Sequence, residues 1–212
     1  MEARNLRAIL SAALGRPLAD PELSKFSKYL GLITRWNRVH SLTALRTDQA
    51  IAEGLLADSL LFLEAVPRDA VRLMDLGSGA GIPGIPLKIV RPELELVLVE
   101  ARRKKASFLA TVVRELGLPQ TRVVGDRAEQ LLDLEPGMSG WFDVVVARAA
   151  GRPADVRDLS FSFLRPGGVL LLGGSQQRVS RGGLDGFEVV TLGKGRGAGS
   201  SRTGLVARKP AG

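Results

Sequence analysis

Asp75-Leu76-Gly77-Ser78-Gly79-Ala80-Gly81 closes an apolar run and opens a turn. Val71, Leu73, Met74 and Leu76 ahead of it read as a buried strand, and the three glycines let the backbone bend sharply against a ligand. The next apolar run, Leu94, Leu96, Val97, Leu98 and Val99, ends on Glu100. In a doubly wound α/β fold, an acid roughly 20 residues beyond the glycine turn stands where a ribose diol would lie. The pair of features indicates a nucleoside cofactor.

Two cofactors compete for this turn. A dinucleotide site needs G-x-G-x-x-G between strand and helix, so that a pyrophosphate rests on the helix N-terminus. Gly79-Ala80-Gly81-Ile82-Pro83-Gly84 fits that expression. Its register is wrong, however, because the turn already begins at Gly77, and Pro83 removes a backbone N–H where a pyrophosphate needs donors. The acid two residues before the first glycine instead resembles the S-adenosylmethionine loop of class I methyltransferases. On that reading Asp75 fixes the loop or the amino-acid end of the cofactor, Gly77, Gly79 and Gly81 shape the turn, and Glu100 accepts hydrogen bonds from both ribose hydroxyls.

Outward from the turn the pattern alternates between strand and helix. Strands are expected near 71–76, 95–100, 121–124, 142–147, 168–173, 187–191 and 204–208, with helices near 84–91, 103–117, 127–133 and 154–164. Such alternation predicts an α/β fold: a Rossmann-like, mostly parallel seven-stranded sheet with helices on both faces and ligands beyond the carboxyl ends of the strands. The last two strands have only a glycine-rich connection, which predicts an antiparallel edge pair. Residues 173–186 and 193–203 read as low-complexity loops. Toward the N-terminus, Leu6, Ile9, Leu10, Ala13 and Leu14 share one helical face. Asp20-Pro21-Glu22 reads as a helix start with Asp20 as the capping acid, followed by a stripe of Leu23, Phe26, Tyr29, Leu30, Ile33 and Trp36. A third helix begins at Thr47-Asp48 and carries Ile51, Leu55, Leu56, Ser59, Leu60 and Leu63. The expected organisation is a helical extension over 1–66 packed on a cofactor-binding core over 67–212.

The chain has 212 residues, 45% of them hydrophobic, enough for one sizeable core. No apolar run has the length of a membrane span, and Met1-Glu2-Ala3-Arg4 lacks the apolar stretch of a signal peptide, so a cytoplasmic protein is expected. The absence of cysteine removes disulfides, thiolate zinc sites and the thiol nucleophile used in C5 methylation of pyrimidines. With His40 as the single histidine, no histidine-rich metal site is expected. Thirty Lys and Arg against 22 Asp and Glu leave a net charge of +8, which favours a polyanionic partner such as nucleic acid. The excess is concentrated at Arg102-Arg103-Lys104-Lys105 and in the glycine- and serine-rich C-terminal stretch, where Arg178, Arg181, Lys194, Arg196 and Arg202 are candidate RNA contacts.

Further candidates sit at later strand ends. Gly125-Asp126-Arg127-Ala128-Glu129 follows the third strand, where this fold borders an adenine, so Ala128 and Glu129 are candidates for its edge. A structural role is also open there, with Asp126 as N-cap and Glu129 completing a capping box. Arg148 ends the fourth strand and projects toward the ligand crevice, suited to a carboxylate, a phosphate or a guanine edge. It is the candidate catalytic or contact residue, while Asp143 at the strand entry reads as structural. No Asn/Asp-Pro-Pro-Tyr/Phe box follows that strand, which argues against methylation of an exocyclic adenine amine. Trp36, Trp141, Tyr29 and the phenylalanines read mostly as core, and His40 as a loop or surface residue.

Taken together, several segments resemble the RsmG (GidB) family, bacterial methyltransferases of guanine N7 in 16S ribosomal RNA. They are Trp36-Asn37 with Leu42-Thr43, Asp58-Ser59, Asp75 to Leu87, Lys104-Lys105 with Phe108-Leu109, Arg127-Ala128-Glu129 and Ala147-Arg148-Ala149. The resemblance implies S-adenosylmethionine as cofactor, contacts to it at Gly77, Ile82, Ala128, Glu129 and Arg148, and 16S ribosomal RNA or the small ribosomal subunit as partner; the oligomeric state is left open by the sequence, with a monomer expected. The chain departs from the family pattern at Ser41, where Asn is usual, and at Leu55, where His is usual. Gly173-Gly174 replaces a frequent Lys-Gly, and Arg202-Thr203 replaces Arg-His. A non-catalytic RNA-binding or ribosome-assembly protein, or a methyltransferase of small molecules or proteins, stands as the alternative.

Overall fold

The computed structural model describes residues 1–148, 151–173, 186–193 and 202–211. Helix α1 (Ala3–Leu14) buries Leu6, Leu10, Ala13 and Leu14 along one stripe. Helix α2 (Asp20–Asn37) starts one residue earlier than the sequence suggests: Ala19 is the N-cap, and Asp20 lies inside the helix. The capping is done by Glu22, whose carboxylate accepts the Ala19 N–H at 2.8 Å, while Asp20 is free to pair with Arg7.

The third helical segment is not a plain α-helix. It runs as α3 (Asp48–Ile51), a π-helical stretch (Ala52–Ala57), α4 (Asp58–Leu60) and a 3₁₀ turn (Leu61–Glu64). Thr47 caps its start by accepting the Ala50 N–H at 3.1 Å. A uniform 3.6-residue period reads through the apolar positions and does not register the widened turn. Here the Gly54 carbonyl accepts a hydrogen bond from Arg148, 94 positions away.

Seven strands form one sheet: β1 (Arg72–Leu76), β2 (Glu95–Val99), β3 (Thr121–Val124), β4 (Phe142–Arg148), β5 (Leu164–Gly173), β6 (Glu188–Leu192) and β7 (Arg202–Arg208). Their order is β3-β2-β1-β4-β5-β7-β6. The first five are parallel, and β7 runs antiparallel to both β5 and β6. The last two strands therefore form the antiparallel edge pair expected of them, with β7 inside and β6 at the sheet edge. Val71 lies just outside β1 and is 48% exposed; its N–H and that of Arg72 are both accepted by Asp143 Oδ2, at 2.9 and 2.8 Å. That contact gives Asp143 the structural role expected of it, pinning the start of β1 to β4.

The crossovers are α5 (Gly84–Val90), α6 (Arg103–Leu116), α7 (Ala128–Leu134) and α8 (Pro153–Phe163). Alternation along the strands sorts the two faces. Leu73, Leu96, Leu98, Val144 and Val146 meet the N-terminal helices together with α5 and α6. Met74, Leu76, Val99 and Val145 meet Leu131 of α7 and Val156 and Phe163 of α8. The N-terminal helices thus share a continuous core with the sheet. Trp141 is not core: it is 46% exposed, with the Arg72 guanidinium 3.6 Å from its ring centroid. Trp36 is half-buried, packed edge-on against Phe108 and tilted against His40, which sits in the loop after α2.

Candidate nucleoside-binding and reaction site

Strand order reverses at β1 and β4, and the glycine turn leaves the carboxyl end of β1 beside that point. The turn is tied from three sides. The Gly77 and Ser78 N–H groups both donate to the Val99 carbonyl of β2 at 2.9 Å, and the Ser78 hydroxyl donates to the Asp75 carbonyl at 2.9 Å. From below, the buried Tyr29 hydroxyl of α2 donates to the Ala80 carbonyl. Gly81 has φ +88°, and a Cβ there would stand 2.3 Å from Ile85 Cδ1 and 2.8 Å from the Tyr29 hydroxyl. Only glycine satisfies both the backbone angle and that approach.

Asp75 is fully buried beneath the turn. Its Oδ2 accepts the Gly84 N–H at 2.9 Å, and its Oδ1 is buried without a hydrogen-bond partner among the described residues. Burial pushes its pKa up to about 7, against the pull of the Gly84 N–H and Ser78 hydroxyl and with help from the Glu100 charge. Asp75 therefore fixes the loop, as one of its two expected roles requires. Gly84 fits because a Cβ there would lie 2.7 Å from Asp75 Oδ2 and 2.9 Å from Leu98 Cδ2.

Glu100 follows β2 and is 7% exposed. Its Oε2 accepts the Gly79 N–H at 3.0 Å and its Oε1 the Arg102 N–H at 2.9 Å. Each carboxylate oxygen offers a second lone pair, so acceptor capacity remains for a diol. Leu76, Gly77, Val99, Glu100 and Ala101 form one wall of a cleft of about 330 Å³; Asp126, Arg127, Ala128 and Glu129 form another, and Asp155, Val156 and Leu159 of α8 close it. That volume is at the lower end of the range of about 300–1,000 Å³ usual for ligand sites. The apolar part of the lining (Leu76, Val99, Ala128, Val156 and Leu159) suits a flat base, and the carboxylate beside it suits a sugar. Of the two roles open at the start of α7, the capping box is not taken up: Arg127 is the N-cap, with no side-chain cap hydrogen bond. Asp126 and Glu129 line the cleft instead.

Arg148 is placed differently from the other candidates. Its Nη2 lies 2.9 Å from Asp58 Oδ2 and donates to the Gly54 carbonyl at 3.0 Å, while Nη1 is buried without a hydrogen-bond partner among the described residues. Asp58 Oδ1 accepts from Arg202 Nε at 2.8 Å. Thus Arg202, expected to face RNA, ion-pairs with Asp58; Arg178, Arg181, Lys194 and Arg196 lie outside the described residues. Ile82 is buried against the turn. Sequence reasoning gave no role to Tyr29 beyond core, to Gly54 at all, or to Asn37 beyond its motif. The Asn37 side chain accepts the Leu42 and Thr43 N–H groups at 2.9 and 3.0 Å and donates to the Leu45 carbonyl at 2.9 Å, organising the loop after α2. A polar residue closing an apolar helical stripe was the available signal. Among the described residues, no group of His, Asp and Glu could hold a metal ion, and no helix is long and apolar enough to cross a membrane.

Comparison with known proteins gives a consistent result. The GidB family model, described as rRNA small subunit methyltransferase G, matches residues 22–180. The protein called ribosomal RNA small subunit methyltransferase G in Leptothrix cholodnii is 39% identical over 160 residues, covering 74% of this chain and 71% of that protein. Its namesake in Nitrosospira multiformis is 38% identical over 173 residues, covering 82% and 74%. Among solved structures, a SAM dependent methyltransferase from Aquifex aeolicus superposes with a TM-score of 0.55 at 15% identity, covering 75% of this chain and 92% of that one. A methyltransferase from Geobacter sulfurreducens gives 0.54 at 16% identity, covering 92% and 90%. The two structural likenesses concern the fold, a Rossmann-like methyltransferase architecture.

Proposed function

Because this chain belongs to the GidB family of rRNA small subunit methyltransferase G, we propose that it transfers a methyl group from S-adenosylmethionine to N7 of a guanine in 16S ribosomal RNA. The observation that carries this reading is Glu100, held by two backbone N–H groups in a cleft lined partly by apolar side chains and retaining acceptor capacity.

Glu100 would hold the ribose hydroxyls, with Leu76, Val99, Ala128 and Leu159 against the adenine and Glu129 at its edge. Gly77, Gly79, Gly81 and Ile82 would shape the path toward the methionine end, with Asp75 supporting the turn from beneath and Arg148 beyond it. When bound, the cofactor supplies an electrophilic methyl on a sulfonium. N7 of guanine carries an in-plane lone pair and needs no deprotonation, so the protein needs no general base. This suits a chain whose one histidine packs against Trp36 in the loop after α2. Catalysis then rests on in-line positioning, which can contribute roughly 7–11 kcal/mol. The target guanine must come from a loop or be unstacked, because N7 in an A-form major groove is poorly reached.

The net charge of +8 supports a polyanionic substrate, whose binding should weaken steeply with salt. The reading includes a monomer acting in the cytoplasm on the small ribosomal subunit or its RNA. In it residues 1–66 serve as a buttress for the turn, as the Tyr29 contact suggests. Incubation of tritiated S-adenosylmethionine with small subunits from cells lacking this activity tests it. Label on guanine N7 is expected; its absence overturns the proposal.

A further inference from the structure

The carboxyl end of β4 carries a charged arrangement that the nucleoside cleft does not use. Asp58 opens α4 with 11% of its side chain exposed, and each of its oxygens meets a different guanidinium: Oδ2 meets Arg148 at the end of β4, and Oδ1 meets Arg202 at the start of β7. Its rotation is thereby fixed from two sides. The π-helical stretch supplies a further contact. The Asp58 N–H donates to the Leu55 carbonyl rather than continuing the α-helical pattern to Gly54, and the Gly54 carbonyl accepts from Arg148 Nη2 at 3.0 Å.

These contacts hold only one edge of the guanidinium. Nη1 is buried and has no hydrogen-bond partner among the described residues. An unpaired donor on a buried cation is costly, and native proteins leave few such groups. One that stands at the carboxyl end of a central strand, beside the topological switch point, is completed by a ligand at least cost. We propose that Asp58 is a positioning residue for methyl transfer: with the Gly54 carbonyl it grips Arg148 by Nη2, so that Nη1 is presented to an acceptor oxygen on the bound reactants. The assignment rests on the methyltransferase reading above. Two sources supply such an oxygen, the carboxylate of the cofactor's amino-acid end and O6 of the target guanine.

The test compares wild type with Asp58→Asn and Asp58→Glu. It measures methyl transfer to small subunits, calorimetric affinity for S-adenosylhomocysteine, and affinity for 5′-methylthioadenosine, which lacks the amino-acid end. Asp58→Asn should lose about 10²-fold in kcat/KM, the scale of a misplaced reacting geometry, and Asp58→Glu should recover at least a tenth of wild-type activity. If the acceptor is on the cofactor, Asp58→Asn weakens S-adenosylhomocysteine at least tenfold and leaves methylthioadenosine unchanged. If it is on the guanine, both nucleosides bind as before and the loss falls wholly on transfer to RNA. Undiminished transfer by Asp58→Asn overturns the assignment. So does an equal loss of both nucleosides with a lowered Tm and no recovery in Asp58→Glu, the pattern of a residue needed only for folding. A wild-type protein that transfers nothing would remove the methyltransferase reading and this assignment together, which the wild-type arm reveals by itself.

Discussion

Glu100 reaches back across the turn to Gly79, accepting its N–H at 3.0 Å with one oxygen while the other accepts the Arg102 N–H at 2.9 Å. The carboxylate proposed to receive the ribose is thus also a tie between the loop after β1 and the loop after β2. On that proposal binding and loop geometry share one side chain, and cofactor affinity should depend on a contact that exists before any ligand arrives.

Glu100→Ala should therefore lose two things. Cofactor affinity should fall at least tenfold with the diol acceptor, and stability should drop by about 1–3 kcal/mol because two backbone donors lose a charged partner. Calorimetry with S-adenosylhomocysteine reads the first and urea denaturation the second. Unchanged affinity would mean the sugar is held elsewhere.

Gly84→Ala should be destabilising despite sitting in a helix, where alanine is normally favoured. The added Cβ would lie 2.7 Å from Asp75 Oδ2 and 2.9 Å from Asp75 Cβ, neither of which has room to retreat. Overpacking of this kind costs about 1–3 kcal/mol. A Tm equal to or above wild type would contradict the packing described.

Asp75 predicts a pH dependence of stability. Its pKa lies at about 7 in the fold and near the ordinary 3.8 when unfolded, so the folded state binds the proton more tightly. Its contribution is fully present below about pH 4 and is lost as pH rises through about 7. Asp75→Asn, which has no proton to lose, should show a flatter stability curve across that window. Parallel curves for the two proteins from pH 4 to 7 would show that Asp75 titrates normally.

Tyr29→Phe removes the hydroxyl that holds the Ala80 carbonyl and leaves that acceptor in an apolar setting. A loss of about 1–3 kcal/mol is expected, with weaker cofactor binding because the turn loses its support from α2. Wild-type stability and affinity in this variant would show the contact to be dispensable.

Much of this architecture was legible in the chain because it depends on local chemistry. Apolar runs ending in Asp75-Leu76-Gly77 and in Val99-Glu100 place two parallel strands and the turn between them, and the period of two along β1, β2 and β4 sorts their faces without knowledge of the partners. The misreadings have a common cause. Trp141 has core chemistry, but lies at a strand entrance under Arg72. In each case a local preference was overridden by where the rest of the chain stands. The π-helical stretch is the clearest instance, since nothing in Ala52–Ala57 records that an arginine from β4 bonds to the Gly54 carbonyl.

The amino-acid order alone determined that a strand, a glycine turn and a spaced acid would meet at one cleft, because spacing within 26 positions, Asp75 to Glu100, requires only steric freedom at glycine and a regular crossover. Tertiary structure alone decided what surrounds it: Tyr29 supporting the turn from 51 positions away, and Arg148 gripped by Gly54 and Asp58 from about 90. Contacts at such separations depend on how whole elements pack, and no local pattern carries that information.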